Sequence, residues 1–251
     1  MYIRQTYSTS TLLREQYTDA LPHLYTIRTD YQTAGRGQAG NSWESADGEN
    51  LLFSTLLRYP DMRADEQFWL TEVVSVAMWD MLSGYLPKDK LCIKWPNDIY
   101  YGDKKLVGIL VENMLVGDKV HHSIVGIGVN VNQVDWKSSA PNPISMREIA
   151  GRVFDVEELL NRFLEALESV SKTDASALHR LYMGHLYRRE GFYPYVEREV
   201  SIEPTRVVLH DEECSPFLAE IMDVSNMGEL VLRKENGDVQ RYHFKQIRYV
   251  I

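Results

Sequence analysis

Apolar positions along the chain keep two rhythms, and the rhythm changes near residue 190. Leu51 to Arg58 reads LLFSTLLR and stops before Pro60, which predicts a buried strand. From Ala64 to Leu86, the positions Phe68, Val73, Val76, Ala77, Met81 and Leu82 recur at helical spacing, so a long packed helix is expected there. Asp155 followed by Glu158 reads as a capping-box-like start to VEELLNRFLEALESV, whose Val156, Leu159, Leu160, Phe163, Leu164 and Leu167 share one face. Ser145 caps a short helix with Met146 and Ile149, and a further helix covers Ala175 to Tyr187.

Strands separated by turn residues fill the middle of the chain. Leu24 to Gly35 starts with strand-like alternation, and Leu91 to Ile93 is a short apolar strand closed by Pro96. Asn97-Asp98 turns the chain into a strand at Ile99 to Tyr101, and Gly102-Asp103 reverses it. LVGILVENMLV from Leu106 is too rich in Val and Ile for a helix and reads as a buried strand, with Gly108 marking a close approach. Gly117-Asp118 is a second hairpin turn, followed by HHSIVGIGVNVN from His121. His121 and His122 are adjacent, which sends them to opposite faces of a strand and makes them surface histidines rather than a metal pair. SSAPNP, from Ser138 to Pro143, is a loop. Beyond Arg188 to Phe192, short strands (VSIEPTRVVL, FLAEIMDVS, ELVLRK, VQRYHF) alternate with turns such as Asn226 to Gly228 and Asn236 to Asp238, the spacing of a small antiparallel barrel.

Composition narrows the class. At 251 residues and 44% hydrophobic, the chain suits one medium domain, or a larger domain with a small companion. A net charge of -9 argues against a general nucleic-acid binder. No signal-peptide pattern and no apolar run of membrane-spanning length is present. Cys92 and Cys214 stand far apart without a CxxC, as reduced packing residues would. A cytoplasmic enzyme or binding protein is expected.

Candidate chemistry gathers in two stretches. Gly35, Gly37 and Gly40 form G-x-G-x-x-G, but the following NSWESADGEN lacks the helix a dinucleotide fingerprint requires. The loop suits an anion held by backbone N–H groups, with Arg36 adding charge. GxxxxGK[ST] occurs nowhere, so any nucleotide site is not a P-loop. In KWPNDIYYGDKKLVGILVE, from Lys94 to Glu112, two lysines and Asp98 stand at strand ends, where a rigid sheet supports an anion site. Taken one at a time, each of these charges reads first as solvated surface, since most Lys and Asp are simply exposed. Ser8 and Thr9, just before LLREQY, read as helix caps. Trp43 reads as a core residue under a loop, and Asn130 as a turn residue at a strand end. Gly126 and Gly128 leave room on their strand for a flat ligand.

Together these strings resemble biotin protein ligases, whose central signature carries KWPND followed by K-L-x-G-I-L-x-E. The resemblance covers nearly the whole chain. It implies an α+β fold: a catalytic domain like those of class II aminoacyl-tRNA synthetases over residues 1–190, a mixed sheet with helices, then an SH3-like β-barrel over 191–251. It implies ATP-dependent ligation of biotin to a lysine of a biotin carboxyl carrier domain through biotinyl-5′-AMP, with Mg²⁺ on the nucleotide. Lys105, Arg36 and Asp98 become the catalytic candidates. Ser8, Thr9, Gln32, Gly35, Arg36, Lys105 and Gly108 are implied at biotin, while Arg36, Gln38, Trp43, Lys94, Asn97 and Asn130 are implied at the adenylate. No metal site of the protein's own is implied. The chain departs from the pattern at Ser10, where Asn is usual, and at Gln38 and Asn41, where Arg is frequent. Ligases of this kind that repress transcription carry an extra N-terminal DNA-binding domain, for which Ser8 leaves no room, so neither DNA nor membrane is an expected partner and a homodimer stays open. A lipoate–protein ligase shares the chemistry but uses different strings; a non-catalytic biotin-binding regulator is the other alternative.

Overall fold

The computed structural model describes residues 1–38, 41–137, 142–203, 206–210 and 215–251, so Gly40, Cys214 and part of the Ser138 loop lie outside the described residues. The chain opens with β1 (Tyr2–Thr6), α1 (Thr9–Glu15), β2 (Thr26–Gln32) and β3 (Leu51–Leu57). Then follow α2 (Phe68–Ser83), β4 (Leu91–Lys94), β5 (Asp98–Tyr101), β6 (Lys104–Val116) and β7 (Lys119–Val129). Three helices come next: α3 (Met146–Ala150), α4 (Val156–Val170) and α5 (Ala175–Gly184). The remainder is strand: β8 (Tyr193–Glu197), β9 (Glu199–Glu203), β10 (Arg206–His210), β11 (Phe217–Val224), β12 (Leu230–Lys234), β13 (Val239–Tyr242) and β14 (Ile247–Tyr249).

One seven-stranded sheet, ordered β1-β2-β3-β7-β6-β5-β4, organises the first part of the chain. Its β1–β2 pair is parallel and the other pairs are antiparallel, so the architecture is a mixed α+β one. Both predicted hairpins form where their turn residues stand, at Gly102-Asp103 between β5 and β6 and at Gly117-Asp118 between β6 and β7. Each glycine has the positive φ such a turn requires. A second, five-stranded sheet runs in the order β13-β12-β11-β8-β14, and β9 pairs with β10 alone.

Side-chain alternation sorts the large sheet into two unlike faces. Leu51 and Phe53 on β3, Val125, Ile127 and Val129 on β7, and Val107 and Ile109 on β6 join the main core, which α2 and α4 cover. Phe163 of α4 is fully buried there, its ring centroid 5.4 Å from that of Phe53. The opposite face bears α1 and a small cluster of Leu13, Ile27, Leu56 and Ile124. β3 is therefore buried along its whole length, because helices cover it from both sides.

Several local expectations needed correction. The long helix begins at Phe68; residues 64–66 form a separate 3₁₀ turn. Asp155 caps α4 by accepting from the N–H groups of Glu157 and Glu158, but the return half of a capping box is absent because Glu158 accepts from Tyr85 Oη instead. The complete capping box is at Ser145 and Glu148. His121 and His122 do not part to opposite faces: their Nδ1 atoms lie 2.9 Å apart, and His122 is buried, stacked on Tyr17.

Candidate active site

The second face of the sheet is hollowed where α1 begins, because β3, β6 and β7 there present Ser54, Gly108, Gly126 and Gly128 in place of large side chains. A cavity of about 270 Å³ opens at this point. Its inner end is polar. Ser8 caps α1 through Thr11 N–H, at 3.5 Å, and its hydroxyl lies 3.1 Å from that of Ser10. The hydroxyls of Thr9 and Ser54 are 2.7 Å apart, while Gln32 Oε1 accepts from Thr9 N at 2.7 Å. Capping and cavity lining coexist in this run, since both Ser8 and Thr9 line the cavity.

Across the middle of the cavity the paired Gly108 and Gly128 do not stand open. The indole of Trp43 lies over both, so close that a Cβ built at Gly108 would come 2.5 Å from Trp43 Cζ3. The room expected for a flat ligand thus holds a flat side chain of the chain itself. Trp43 is delivered there by a hairpin: Trp43 N–H donates to Gly35 O at 3.0 Å and Gly37 N–H to Asn41 O at 2.8 Å. Gly35 is required because a Cβ would meet Trp43 O at 2.5 Å. The Gly37 N–H expected to face an anion is therefore already spent within the hairpin. Trp43 Nε1 is buried and has no hydrogen-bond partner among the described residues.

Charges gather at the far end. Lys105 Nζ donates to Asp98 Oδ2 at 2.7 Å and lies 5.8 Å from the Trp43 ring centre. Arg36 pairs with Glu112 at 2.8 Å, and Glu112 also pairs with Arg14. Lys94 has neither a hydrogen bond nor an ion pair from its ammonium among the described residues, and sits 5.2 Å from the Tyr100 ring centre and 4.9 Å from that of Tyr249. Burial pulls its pKa down, against the opposing pull of Asp98. Gln38 donates to Asn97 Oδ1 at 3.3 Å, and Asn97 in turn donates to Ile109 O.

Of the residues singled out from the sequence, Ser8, Thr9, Gln32, Arg36, Gln38, Trp43, Lys94, Asn97, Asp98, Lys105 and Gly108 line this one cavity. Gly35 and Asn130 are not among the lining residues; Gly35 closes the hairpin, and the buried Asn130 donates to Lys105 O and Ile144 O, tying β6 to the segment before α3. Sequence reasoning missed Ser54, Tyr249 and Phe244, of which Ser54 adds a hydroxyl and Phe244 lines the cavity beside Trp95. The adjacent hydroxyls of Ser54 and Thr55 inside an otherwise apolar strand were the available signal for Ser54. Nothing local distinguishes Phe244 or Tyr249, which approach from the second sheet.

A sequence model described as the biotin/lipoate A/B protein ligase family matches residues 2–130. The bifunctional ligase/repressor BirA of Bacillus subtilis is 38% identical over 194 residues, covering 74% of this chain and 54% of that protein. The biotin–[acetyl-CoA-carboxylase] ligase of Paracoccus denitrificans is 34% identical over 135 residues, covering 52% and 55%. The chain spans about half the length of the curated relatives it matches. In fold it resembles the biotin protein ligase of Aquifex aeolicus solved with biotin and ATP, with a TM-score of 0.73, 22% identity, and coverage of 100% of this chain and 98% of that one.

Proposed function

The chain belongs to the biotin/lipoate A/B protein ligase family, and from that premise we propose that it joins biotin to a lysine of a biotin carrier domain at the expense of ATP. The observation that carries this reading is the order of chemistry along one cavity: hydroxyls and a side-chain amide at the inner end, an indole-covered glycine slot in the middle, and lysines with a carboxylate at the far end. Biotin has the matching order. Its ureido ring offers N–H donors and a carbonyl, which suit Ser8, Thr9, Ser54 and Gln32. A lipoyl dithiolane offers no such donors, so those buried groups would be left unpaired around it.

In the first step the biotin carboxylate oxygen attacks the α-phosphorus of ATP, the bond to the bridging oxygen breaks, and pyrophosphate leaves. Negative charge grows on the phosphoryl oxygens, where fixed cations in a partly dry cavity act most strongly. Lys105 is held by Asp98 at the carboxylate end, Arg36 by Glu112 at the loop, and Lys94 has no carboxylate partner among the described residues. Mg²⁺ arrives on the phosphates as part of the substrate. In the second step the neutral amine of the acceptor lysine attacks the acyl carbon, the bond to the phosphoryl oxygen breaks, AMP leaves, and the amine's surplus proton passes to solvent. When Lys105 turns to the adenylate, Asp98 is released to orient the incoming amine, so one carboxylate serves both steps.

Residues 1–190 form the catalytic part in this reading and 191–251 a small SH3-like part. The strand-rich second sheet and the change of rhythm at Arg188 support that division. A cytoplasmic setting suits an acceptor made and modified inside the cell, and no helix among the described residues is long and apolar enough to cross a membrane. ATP–pyrophosphate exchange tests the first step: it should require biotin, fail with lipoate, and fall on the order of tenfold to a hundredfold in Lys105→Ala, which removes a charge-assisted contact. Exchange supported equally by lipoate, or unchanged in the variant, would refute it.

A further inference from the structure

Among the described residues, three cations line the cavity: Arg36, Lys94 and Lys105. Two are already matched to carboxylates, Arg36 by Glu112 and Lys105 by Asp98. Lys94 is held differently, between two aromatic rings. One ring, Tyr100, is on the neighbouring strand β5; the other, Tyr249, is on β14 of the second sheet. An ammonium over a ring face is attracted by the ring quadrupole while its charge remains uncancelled. Tyr249 is buried, and its hydroxyl has no hydrogen-bond partner among the described residues, so the face of the ring and not its polar tip makes the contact that counts.

The ligase reading already puts Lys94 at the nucleotide; we infer that Tyr249, reaching it from the second sheet, is the positioning residue that holds this positive charge for the phosphates, so the second sheet takes part in the nucleotide step. The inference rests on the ligase reading above. The second sheet is fastened to the first part of the chain by contacts from the turn after β4, from α5 and from the segment before β8. Trp95 Nε1 donates to Gly228 O at 3.1 Å, and Arg189 to Ile221 O at 3.1 Å. His179 of α5 bridges Glu72 of α2, at 2.7 Å, and Asp223 of β11, at 2.9 Å. Burial lowers the Lys94 pKa, so an arriving anion meets a cation whose solvation is already reduced. Biotin's ring end lies by Thr9 and Gln32 in the ligase reading, away from Lys94, so the two ligands should respond differently to changes at Tyr249.

The test is calorimetric titration of the full chain with ATP and Mg²⁺, and separately with biotin. Tyr249→Leu should weaken ATP about fivefold to tenfold and change biotin by less than about twofold. Tyr249→Phe, which keeps the ring face, should bind ATP like the parent. Lys94→Gln should weaken ATP at least as much, and adding Tyr249→Leu to it should weaken ATP no further, because the ring acts through the lysine. Equal losses for both ligands, a Phe variant as weak as the Leu variant, or additive losses in the double variant would each overturn the inference. A parent that binds neither ligand overturns the ligase reading itself; a parent that exchanges pyrophosphate while Tyr249→Leu binds ATP normally overturns this inference alone.

Discussion

The two faces of the seven-stranded sheet are made by the same strands with opposite ends in view. On β3 and β7, Phe53, Val125 and Ile127 are large and apolar and join the core that α2 and α4 cover; on the other face Gly126 and Gly128 line the cavity with the Ser54 hydroxyl beside them, and Leu56 and Ile124 pack under α1. One face gains its stability from dispersion and the removal of apolar surface from water. The other gives up that gain to keep polar groups and space at a rigid support. Alternation along a strand therefore does more here than separate inside from outside, since both faces are covered. It separates a packed interior from a binding interior.

The largest expected effect breaks the packed side. Phe163→Ala removes a fully buried ring on the α4 face and should lower stability by about 3–5 kcal/mol in denaturant unfolding, while biotin affinity at temperatures where the variant is folded stays close to the parent's. A loss of affinity with the fold intact would show that the faces are not independent. Next, Gly128→Val places a branched side chain where the Trp43 indole lies. It should cost about 1–3 kcal/mol and shift the Trp43 fluorescence as the indole is displaced; unaltered emission would mean that the slot does not hold that ring. Gln38→Arg acts on the binding side alone. Gln38 offers the cavity a neutral amide, and an ionised donor forms a hydrogen bond roughly twice as strong. The variant should release biotinyl-adenylate more slowly in stopped-flow dissociation, and release as fast as the parent's would remove charge at the loop as the control on retention.

The smallest expected effect concerns the fastening of the second sheet. Burial alone would lower the His179 pKa, but Glu72 and Asp223 outweigh it and raise the value above 6.5. A raised folded pKa contributes stability that is full below the unfolded value and is lost as pH rises through the folded one. Burial also raises the Glu72 pKa, so part of that pair's benefit is offset near neutrality. The stability gap between the parent and His179→Asn should therefore narrow from pH 6 to pH 9 in thermal unfolding. A gap that widens with pH would contradict the charged bridge.

Much of this was legible in the sequence wherever the cause is local. Gly102-Asp103 and Gly117-Asp118 mark their turns because few other residues take the positive φ, and α4 reads from its stripe because Leu160, Phe163 and Leu167 all face one core. β1 escaped notice because YIRQT is an edge strand with exposed and half-buried positions and no apolar signal. β8 and β14 escaped it for a different reason: each is short, and each gains its burial from distant partners. At the site, most of the residues that the strings single out line one cavity. They could not show what each group already holds. Arg36 is matched by Glu112, 76 residues away, and the Gly108–Gly128 slot is filled by Trp43 from another segment altogether. Those are facts of chain crossing, which composition and spacing do not carry.

The central claim is that the hollowed face serves to activate biotin and pass it to a lysine. Its most direct measurement is the intact mass of a biotin carrier domain after incubation with the protein, ATP and Mg²⁺, with biotin in one reaction and lipoate in another. The account predicts a gain of one biotinyl group in the first reaction, abolished when the acceptor lysine is replaced, and no gain in the second. An acceptor that gains a lipoyl group instead, or that stays unmodified while the protein binds biotin and ATP, would contradict it.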